Sequence, residues 1–222
     1  KNNTYIDSYG TWLRHNQVLS PKTQLNSGIY FYCSNSRYAY AYGEKKNEEY
    51  VDDSNRSNRF YFDDHILSAY TALSHKWNKK LNVTIGVKMD AYDADGEQKT
   101  TGERISRHEV NLLPSINILY KLSNEHIFLF NAKCSADQPH YSQLNPFKTY
   151  VSHTTYQKGN PDLKSSKMYS GGLTYNFMDD YSLTAYLMYV NNISANLSFL
   201  DDNNQVMIMP ANRGKMFYNT WS

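Results

Sequence analysis

The feature that most constrains the fold of this chain is a strict alternation of apolar and polar residues. From Val83 to Asp90, the odd-numbered residues are Val, Ile, Val and Met, and the even-numbered residues are Thr, Gly, Lys and Asp. Because successive side chains of a β-strand point to opposite faces, this period of two predicts a strand with one apolar and one polar face. The alternation recurs in 110–120, 169–177 and 181–189. The sequence therefore predicts an all-β protein.

We expect antiparallel strands at 23–42, 58–75, 80–93, 105–121, 126–135, 164–178 and 180–193, and almost no helix. Two stretches fit the pattern less well. Pro114 interrupts one strand, and a strand tolerates proline best at a bulge or an edge. The stretch from His126 to Ala132 is apolar on both faces.

The connections between the predicted strands alternate in length. The short ones are 14–22, 75–80, 122–125 and 178–180, and the long, polar ones are 43–58, 94–104 and 135–164. This asymmetry is typical of an up-and-down outer-membrane barrel, which has short periplasmic turns and long extracellular loops. A Greek-key sandwich has no reason to keep it. We therefore predict one unit over residues 1–222, an incomplete transmembrane β-barrel of about nine strands.

Aromatic composition supports a barrel. The chain has 21 tyrosines, and four aromatic residues lie beside the short connections, where a periplasmic aromatic girdle is expected: Trp77, Tyr120, Phe177 and Tyr181. No apolar run approaches the ~20 residues that a membrane helix needs. The 23 basic and 21 acidic residues nearly balance and are scattered, so nucleic acid is not an expected partner.

Residue types that carry catalysis or bind metal are present without the necessary grouping. Asp63 and Asp64 are adjacent on a strand and must point to opposite faces. The pairs at 179–180 and 201–202 are predicted to lie in turns. The seven histidines form no HxH or HxxxH motif, and Cys33 and Cys134 form no CxxC motif. We expect no catalytic site, no metal site and no cofactor.

A pair of motifs gives a specific resemblance. Leu-Asn-Pro-Phe is followed at a distance by Gly-Asn-Pro, and the seven residues are Leu144, Asn145, Pro146, Phe147, Gly159, Asn160 and Pro161. With barrel-strand motifs between Pro21 and Ile193, the chain resembles the Bacteroides-type outer-membrane β-barrel family of TonB-dependent receptors. It departs from that family at Gln138, where arginine is usual, and at Ser165, where proline is usual. The prolines should hold Asn145 and Asn160 in extended or turn geometry, and Gly159 would permit a positive φ. We expect these motifs to shape a loop and not to bind ligand.

The resemblance implies a function. The parent protein would lie in the outer membrane of a Gram-negative bacterium and take up a scarce nutrient, such as a metal chelate, a glycan or a peptide. Uptake would require a plug domain and the TonB complex, both expected to lie outside this chain, together with the rest of the barrel. The chain would then be a barrel fragment in contact with outer-membrane lipid, with no enzymatic activity.

Two further expectations follow. Val83, Ile85, Val87 and Met89 should share a face with Leu173, Leu183 and Leu187, and this face should meet lipid. Ligand contacts, if this chain makes any, should come from the 135–164 connection, through His140, Tyr141, Tyr150, His153 and Tyr156. The alternative is a secreted, soluble β-sandwich that binds carbohydrate through exposed tyrosines and buries the apolar faces between two sheets.

Overall fold

The computed structural model of the protein describes residues 2–46, 49–178 and 180–222. Its elements in chain order are β1 Asn2–Ser20, β2 Thr23–Lys46, β3 Glu49–Lys76, β4 Leu81–Gln98, β5 Arg104–Lys121, β6 His126–Asp137, α1 Tyr141–Leu144, β7 Thr149–Tyr150, β8 Thr155–Gln157, β9 Ser166–Phe177, β10 Tyr181–Leu200 and β11 Val206–Trp221. No helix in these ranges is long and apolar enough to cross a membrane.

All strands belong to one sheet, in the order β1-β2-β3-β4-β5-β6-β9-β10-β11-β8-β7. Nine strands are long, and each is antiparallel to its neighbours in chain order. The short strands β7 and β8 form a hairpin that lies against the start of β11, where β8 pairs in parallel. The sheet does not close on itself, since β1 and β7 stand at its two ends. The predicted all-β, up-and-down fold of about nine strands is confirmed.

The register across the sheet shows which residues share a face. Val83 pairs with Ile118, Ile118 with Phe130, Phe130 with Leu173, and Leu173 with Ala185. Directly paired residues of neighbouring strands project to the same side of a sheet. By the period of two, Ile85, Val87 and Met89 therefore share this side with Leu183 and Leu187, as predicted. We call it the outer face.

The outer face is uncovered. Ile85 is 60% exposed, Leu112 66% and Leu183 57%, and the same holds for large apolar residues along most of the sheet. A β-sandwich would cover this face with a second sheet, whereas the described residues form a single sheet. The sandwich alternative is therefore wrong.

The strand ends differ from the sequence prediction at three connections. The connection predicted at 14–22 is mostly strand, because β1 continues to Ser20 and only Pro21 and Lys22 remain in the turn. The polar stretches 43–58 and 94–104 were predicted as loops, yet β2, β3 and β4 extend through most of them. Residues 47 and 48 lie outside the described residues. Polar composition there reflects distance from the apolar band, because a hydrogen-bonded strand in water needs no apolar face.

The two stretches that fit the alternation less well, at Pro114 and at 126–132, are also parts of strands. The pairing of β5 with β6 runs from Ser115 to Lys121, so Pro114, which has no amide hydrogen, is the first residue beyond it. Pro114 still faces Val87 of β4. His126 to Ala132 is strand despite being apolar on both sides, since β6 lies between β5 and β9.

Candidate functional site

One long connection is irregular. It folds onto the face of the sheet opposite to the outer face, which we call the inner face. Residues 138–165 link β6 to β9 through α1, β7 and β8. Leu144 and Leu163 from this loop are 0% and 1% exposed, and they pack against Phe60, Tyr92 and Ile105 of three neighbouring strands. These strand residues lie on the face opposite to Ile85, by the period of two. The loop thus covers the inner side of the sheet at the end away from the short turns.

The two sequence motifs of this loop bind each other through the backbone. The Gly159 amide donates to the Asn145 carbonyl at 2.7 Å, and the Asn160 amide donates to the Gln143 carbonyl at 2.7 Å. A Cβ at position 159 would lie 2.6 Å from the backbone of both Asn145 and Gln143. Gly159 does not adopt the positive φ that a glycine permits, because among the described glycines only Gly102 has one. Glycine is required here because two backbone segments approach closely.

Asparagine side chains complete the turns. Asn145 is extended, with φ −65° and ψ 111°, as the following Pro146 requires. Its side-chain oxygen accepts from the Phe147 amide at 3.2 Å, and Phe147 itself is buried. Asn160 donates through Nδ2 to the Pro210 carbonyl at 3.0 Å, which fastens the loop to β11. In this arrangement the motif side chains contact the protein itself.

The two ends of the loop contact each other through Ser165, which also contacts a carboxylate of β5. The Ser165 hydroxyl lies within hydrogen-bonding distance of both the Glu109 carboxylate and the Gln138 side-chain oxygen, and it can donate to one of them at a time. Arg107 lies 3.8 Å from Glu109 and donates to the Pro161 carbonyl at 3.4 Å. Gln138 and Ser165 are the two positions that depart from the family pattern, and the structure places them in contact.

Of the five predicted ligand contacts, two are engaged within the loop. His140 caps α1, because its Nδ1 accepts from the Ser142 amide at 3.4 Å while its own amide donates to Gln143 at 3.0 Å. Its ring lies 4.2 Å from that of Tyr141. Tyr156 is 2% exposed, so the structure does not present it to a ligand.

The buried Tyr156 links β8 to the β10–β11 hairpin. Its hydroxyl donates to Asp201 Oδ2 at 3.2 Å, and the Lys148 ammonium lies 4.5 Å from its ring centre. Backbone amides of Gln205 and Asn203 donate to the Asp201 carboxylate and, with the Tyr156 hydroxyl and Lys148, hold its pKa below the ordinary value. This hairpin confirms the turn predicted at Asp201.

The other three candidates line a cleft between the loop and β2. One cavity of about 460 Å³ lies between Tyr40 and Tyr42 on β2 and the segment 148–153, which includes Tyr150 and His153. A second cavity of about 420 Å³ is lined by Tyr38, Tyr141 and loop amides. Thr149 lines both cavities. The two therefore adjoin and form one cleft, which we call the tyrosine cleft.

The β2 tyrosines of this cleft were missed from the sequence. Tyr38, Tyr40 and Tyr42 occupy alternate positions, so the period-two argument that assigned the apolar face could have found them. They end the strand predicted at 23–42, whereas ligand contacts were expected only from the 135–164 connection. Burial raises the pKa of the Tyr38 phenol, so it remains a neutral hydrogen-bond donor and acceptor.

The potential metal ligands of the described ranges are dispersed. No group of three or more His, Cys, Asp or Glu residues could hold a metal ion there. Asp63 is exposed on the outer face, whereas Asp64 is half-buried on the inner face, as predicted for adjacent strand residues. Asp179 lies outside the described residues.

Long antiparallel strands, an uncovered apolar outer face and an opposite face that is polar near the short turns define a section of a membrane β-barrel wall. Comparison with protein families identifies which barrel this is: residues 1–218 match the outer membrane protein beta-barrel family, and the chain belongs to that family. The protein is therefore a component of the outer membrane of Gram-negative bacteria.

Solved structures share the fold. The copper transporter OprC superposes with a TM-score of 0.69 at 12% identity, over 99% of this chain and 35% of OprC. The FrpB iron transporter from Neisseria meningitidis gives 0.68 at 13% identity, over 99% of this chain and 33% of FrpB. The ferric yersiniabactin uptake receptor FyuA from Yersinia pestis gives 0.64 at 11%, over 99% and 32%. The chain thus spans about a third of each of these proteins. A comparison with curated protein sequences gave no match.

Proposed function

We propose that this chain is part of the barrel wall of a TonB-dependent receptor for active nutrient uptake, and that it supplies nutrient recognition and no catalysis. The observation that carries the proposal is the loop 138–165, which covers the inner face at the end of the sheet away from the short turns. In an outer-membrane barrel the short turns are periplasmic. The loop therefore stands over the lumen at the extracellular mouth, where a nutrient arrives.

The inner face suits a lumen. On β9 and β10 its residues include Ser170, Thr174 and Thr184, and the last two hydroxyls lie 3.1 Å apart across the strands. Near the short turns of β3 and β4, Thr84 donates to Ser74, which donates to Asn82. Such a polar wall fits water or a plug domain. In the parent protein a plug would occupy the lumen and the TonB complex would act on it, with the remaining strands closing the barrel.

The motif residues would serve this function indirectly. Leu144 packs against the wall, and the Asn160 side chain donates to Pro210 of β11. The backbone bond between Asn145 and Gly159 holds the loop itself together. A loop that is already ordered loses less entropy when it binds a ligand. We therefore assign recognition to Tyr141, Tyr150 and His153, with His140 and Tyr156 holding the loop in shape.

The test is to exchange residues 138–165 between two full-length family members that import different nutrients. The exchange should begin at Gln138 and end at Ser165, because these two residues contact each other and Ser165 also contacts the Glu109 carboxylate. Uptake of both nutrients is then measured in whole cells. The proposal predicts that preference follows the exchanged loop. Preference that stays with the parent barrel would contradict it, provided that both chimaeras assemble in the outer membrane.

A further inference from the structure

The tyrosine cleft, defined by Tyr38, Tyr40 and Tyr42 of β2, with Tyr141 and Tyr150 of the loop, has a composition that selects among nutrient classes. We propose that it binds a polyhydroxylated, uncharged ligand, namely an oligosaccharide. This inference rests on the proposed function and goes beyond it by naming the ligand class and the β2 residues that bind it.

The spacing of the aromatic residues is the first argument. Residues two apart on one face of a strand are separated by about 7 Å. Tyr38 and Tyr40 therefore offer successive rings along one wall, and Tyr42 continues the row past a register shift in the β2–β3 pairing. Tyr150 stands on the opposite wall of the same cavity. Pyranose rings carry an apolar face of C–H groups and recur along a chain, which matches a row of rings better than a compact ligand does.

The polar groups of the cleft are the second argument. Its lining includes Ser142, Gln143, Asn145, Thr149, Gln157 and Asn196. Hydroxyls and amides both donate and accept hydrogen bonds, as the hydroxyl groups of a sugar require. Tyrosine adds a rigid apolar face with a polar tip and loses little entropy on binding. Together they form an apolar surface with convergent neutral polar groups, as ligand pockets usually do.

The charged side chains that line the cleft also favour a neutral ligand. Where side chains are described, its lining contains no carboxylate and two lysines, Lys148 and Lys158. Lys148 lies over the Tyr156 ring, so it is directed toward the protein. Lys158 is then the one ammonium of this described lining left to face an anionic chelate, and a multiply charged chelate would lose more hydration than that single charge returns. The cleft thus disfavours a charged chelate relative to a neutral saccharide.

The test uses the purified full-length receptor and a defined panel of probes. The panel contains neutral oligosaccharides of glucose, mannose, xylose and galactose, with ferric citrate and a neutral hexapeptide as probes of the other classes. We expect at least one oligosaccharide to bind, and Tyr40→Ala and Tyr150→Ala each to weaken it about tenfold, the order expected when an aromatic contact is lost. Tyr40→Phe, which keeps the ring, should weaken it less.

Tyr186→Ala is the matched control, because Tyr186 is an inner-face tyrosine of β10 that lies outside both cavities. It should bind the saccharide as the native protein does, and heat-modifiable migration on gels should show that every variant is folded. The inference is overturned if no oligosaccharide binds, if Tyr40→Ala and Tyr150→Ala bind as well as Tyr186→Ala, or if they lose ferric citrate or peptide binding instead. In that last case the loop would still carry recognition, so the proposed function would stand while the ligand class would be wrong.

Discussion

The two ends of the sheet are stabilised differently. Near the short turns, large outer-face residues such as Leu183 and Trp221 remain exposed, so lipid must supply their apolar contacts. At the opposite end, Phe60 and Leu144 are fully buried by the protein itself, on the inner face. The membrane-spanning part therefore depends on its surroundings, whereas the end that carries the loop 138–165 contains its own core.

The largest expected effect is at that core. Leu144→Ala removes a fully buried side chain, and such truncations cost about 2–5 kcal/mol. The cost should appear as a lower free energy of local opening for the loop 138–165, measured by hydrogen exchange on the full-length protein. Leu112→Ala, on the exposed outer face, is the matched control and should leave loop protection unchanged. Equal protection in the two variants would mean that the loop is not held by this core.

A cation on the outer face tests the membrane-spanning half. Ile85→Lys places a charge in the apolar band, which costs a barrel roughly 2–4 kcal/mol near mid-bilayer. The folded fraction in outer-membrane preparations should fall, as read from heat-modifiable migration. Thr84→Lys is one residue away on the inner face and should assemble normally. If both variants assemble equally well, the assignment of faces is wrong.

The contact between the loop ends should have a smaller effect. Ser165→Ala removes a buried hydroxyl that Glu109 and Gln138 share, and the loss of a hydrogen bond to a charged group costs about 1.5–3 kcal/mol. Loop opening should become easier near Gln138 and Ser165, without a change in the register of β9. Ser152→Ala, an exposed position of the same loop, should have no comparable effect. Identical hydrogen exchange in the two variants would show that the Ser165 hydroxyl does not help to hold the loop.

The smallest effect concerns the β10–β11 hairpin. The Asp201 carboxylate has a lowered pKa, chiefly because the Gln205 amide donates to it. Its contribution to hairpin stability is therefore present above the unfolded pKa of about 3.9 and is lost as the pH falls through the lower, folded pKa. Protection factors of the 203 and 205 amides, corrected for intrinsic exchange, should drop in acid, and Asp201→Asn should remove that dependence. If the protection factors still drop in acid in the Asp201→Asn variant, a group other than Asp201 causes the drop.

The regular half of the molecule could be predicted from the sequence, because its faces follow from a period of two. The outer face of β4 and its match to β9 and β10 came from that pattern alone. Strand β1 was not among the predicted ranges, since Tyr5 and Ile6, and again Trp12 and Leu13, place apolar residues on both faces. Long polar stretches were read as loops because polarity was equated with the absence of pairing.

The inward fold of the loop could not be predicted. Leu144 is buried against Phe60, which is remote in sequence and becomes a neighbour only when β3 and β6 take their places in the sheet. The motif residues predicted turns but not what those turns contact. Gly159 and Asn145 each marked a turn, and only the structure shows that they bind each other. The same applies to Tyr156, whose burial depends on the distant β10–β11 hairpin.

The central claim is that one face of this sheet meets lipid while the other lines an aqueous or plug-filled lumen. It is tested most directly by spin labels placed one at a time at residues 83, 84, 85, 87, 88 and 89 of the full-length protein in bilayers, with Cys33 and Cys134 first replaced by alanine. Accessibility is measured to oxygen, which partitions into lipid, and to a water-soluble nickel complex. The account predicts that labels at 83, 85, 87 and 89 favour oxygen and those at 84 and 88 do not. Absence of a period of two, or the opposite phase, would contradict it.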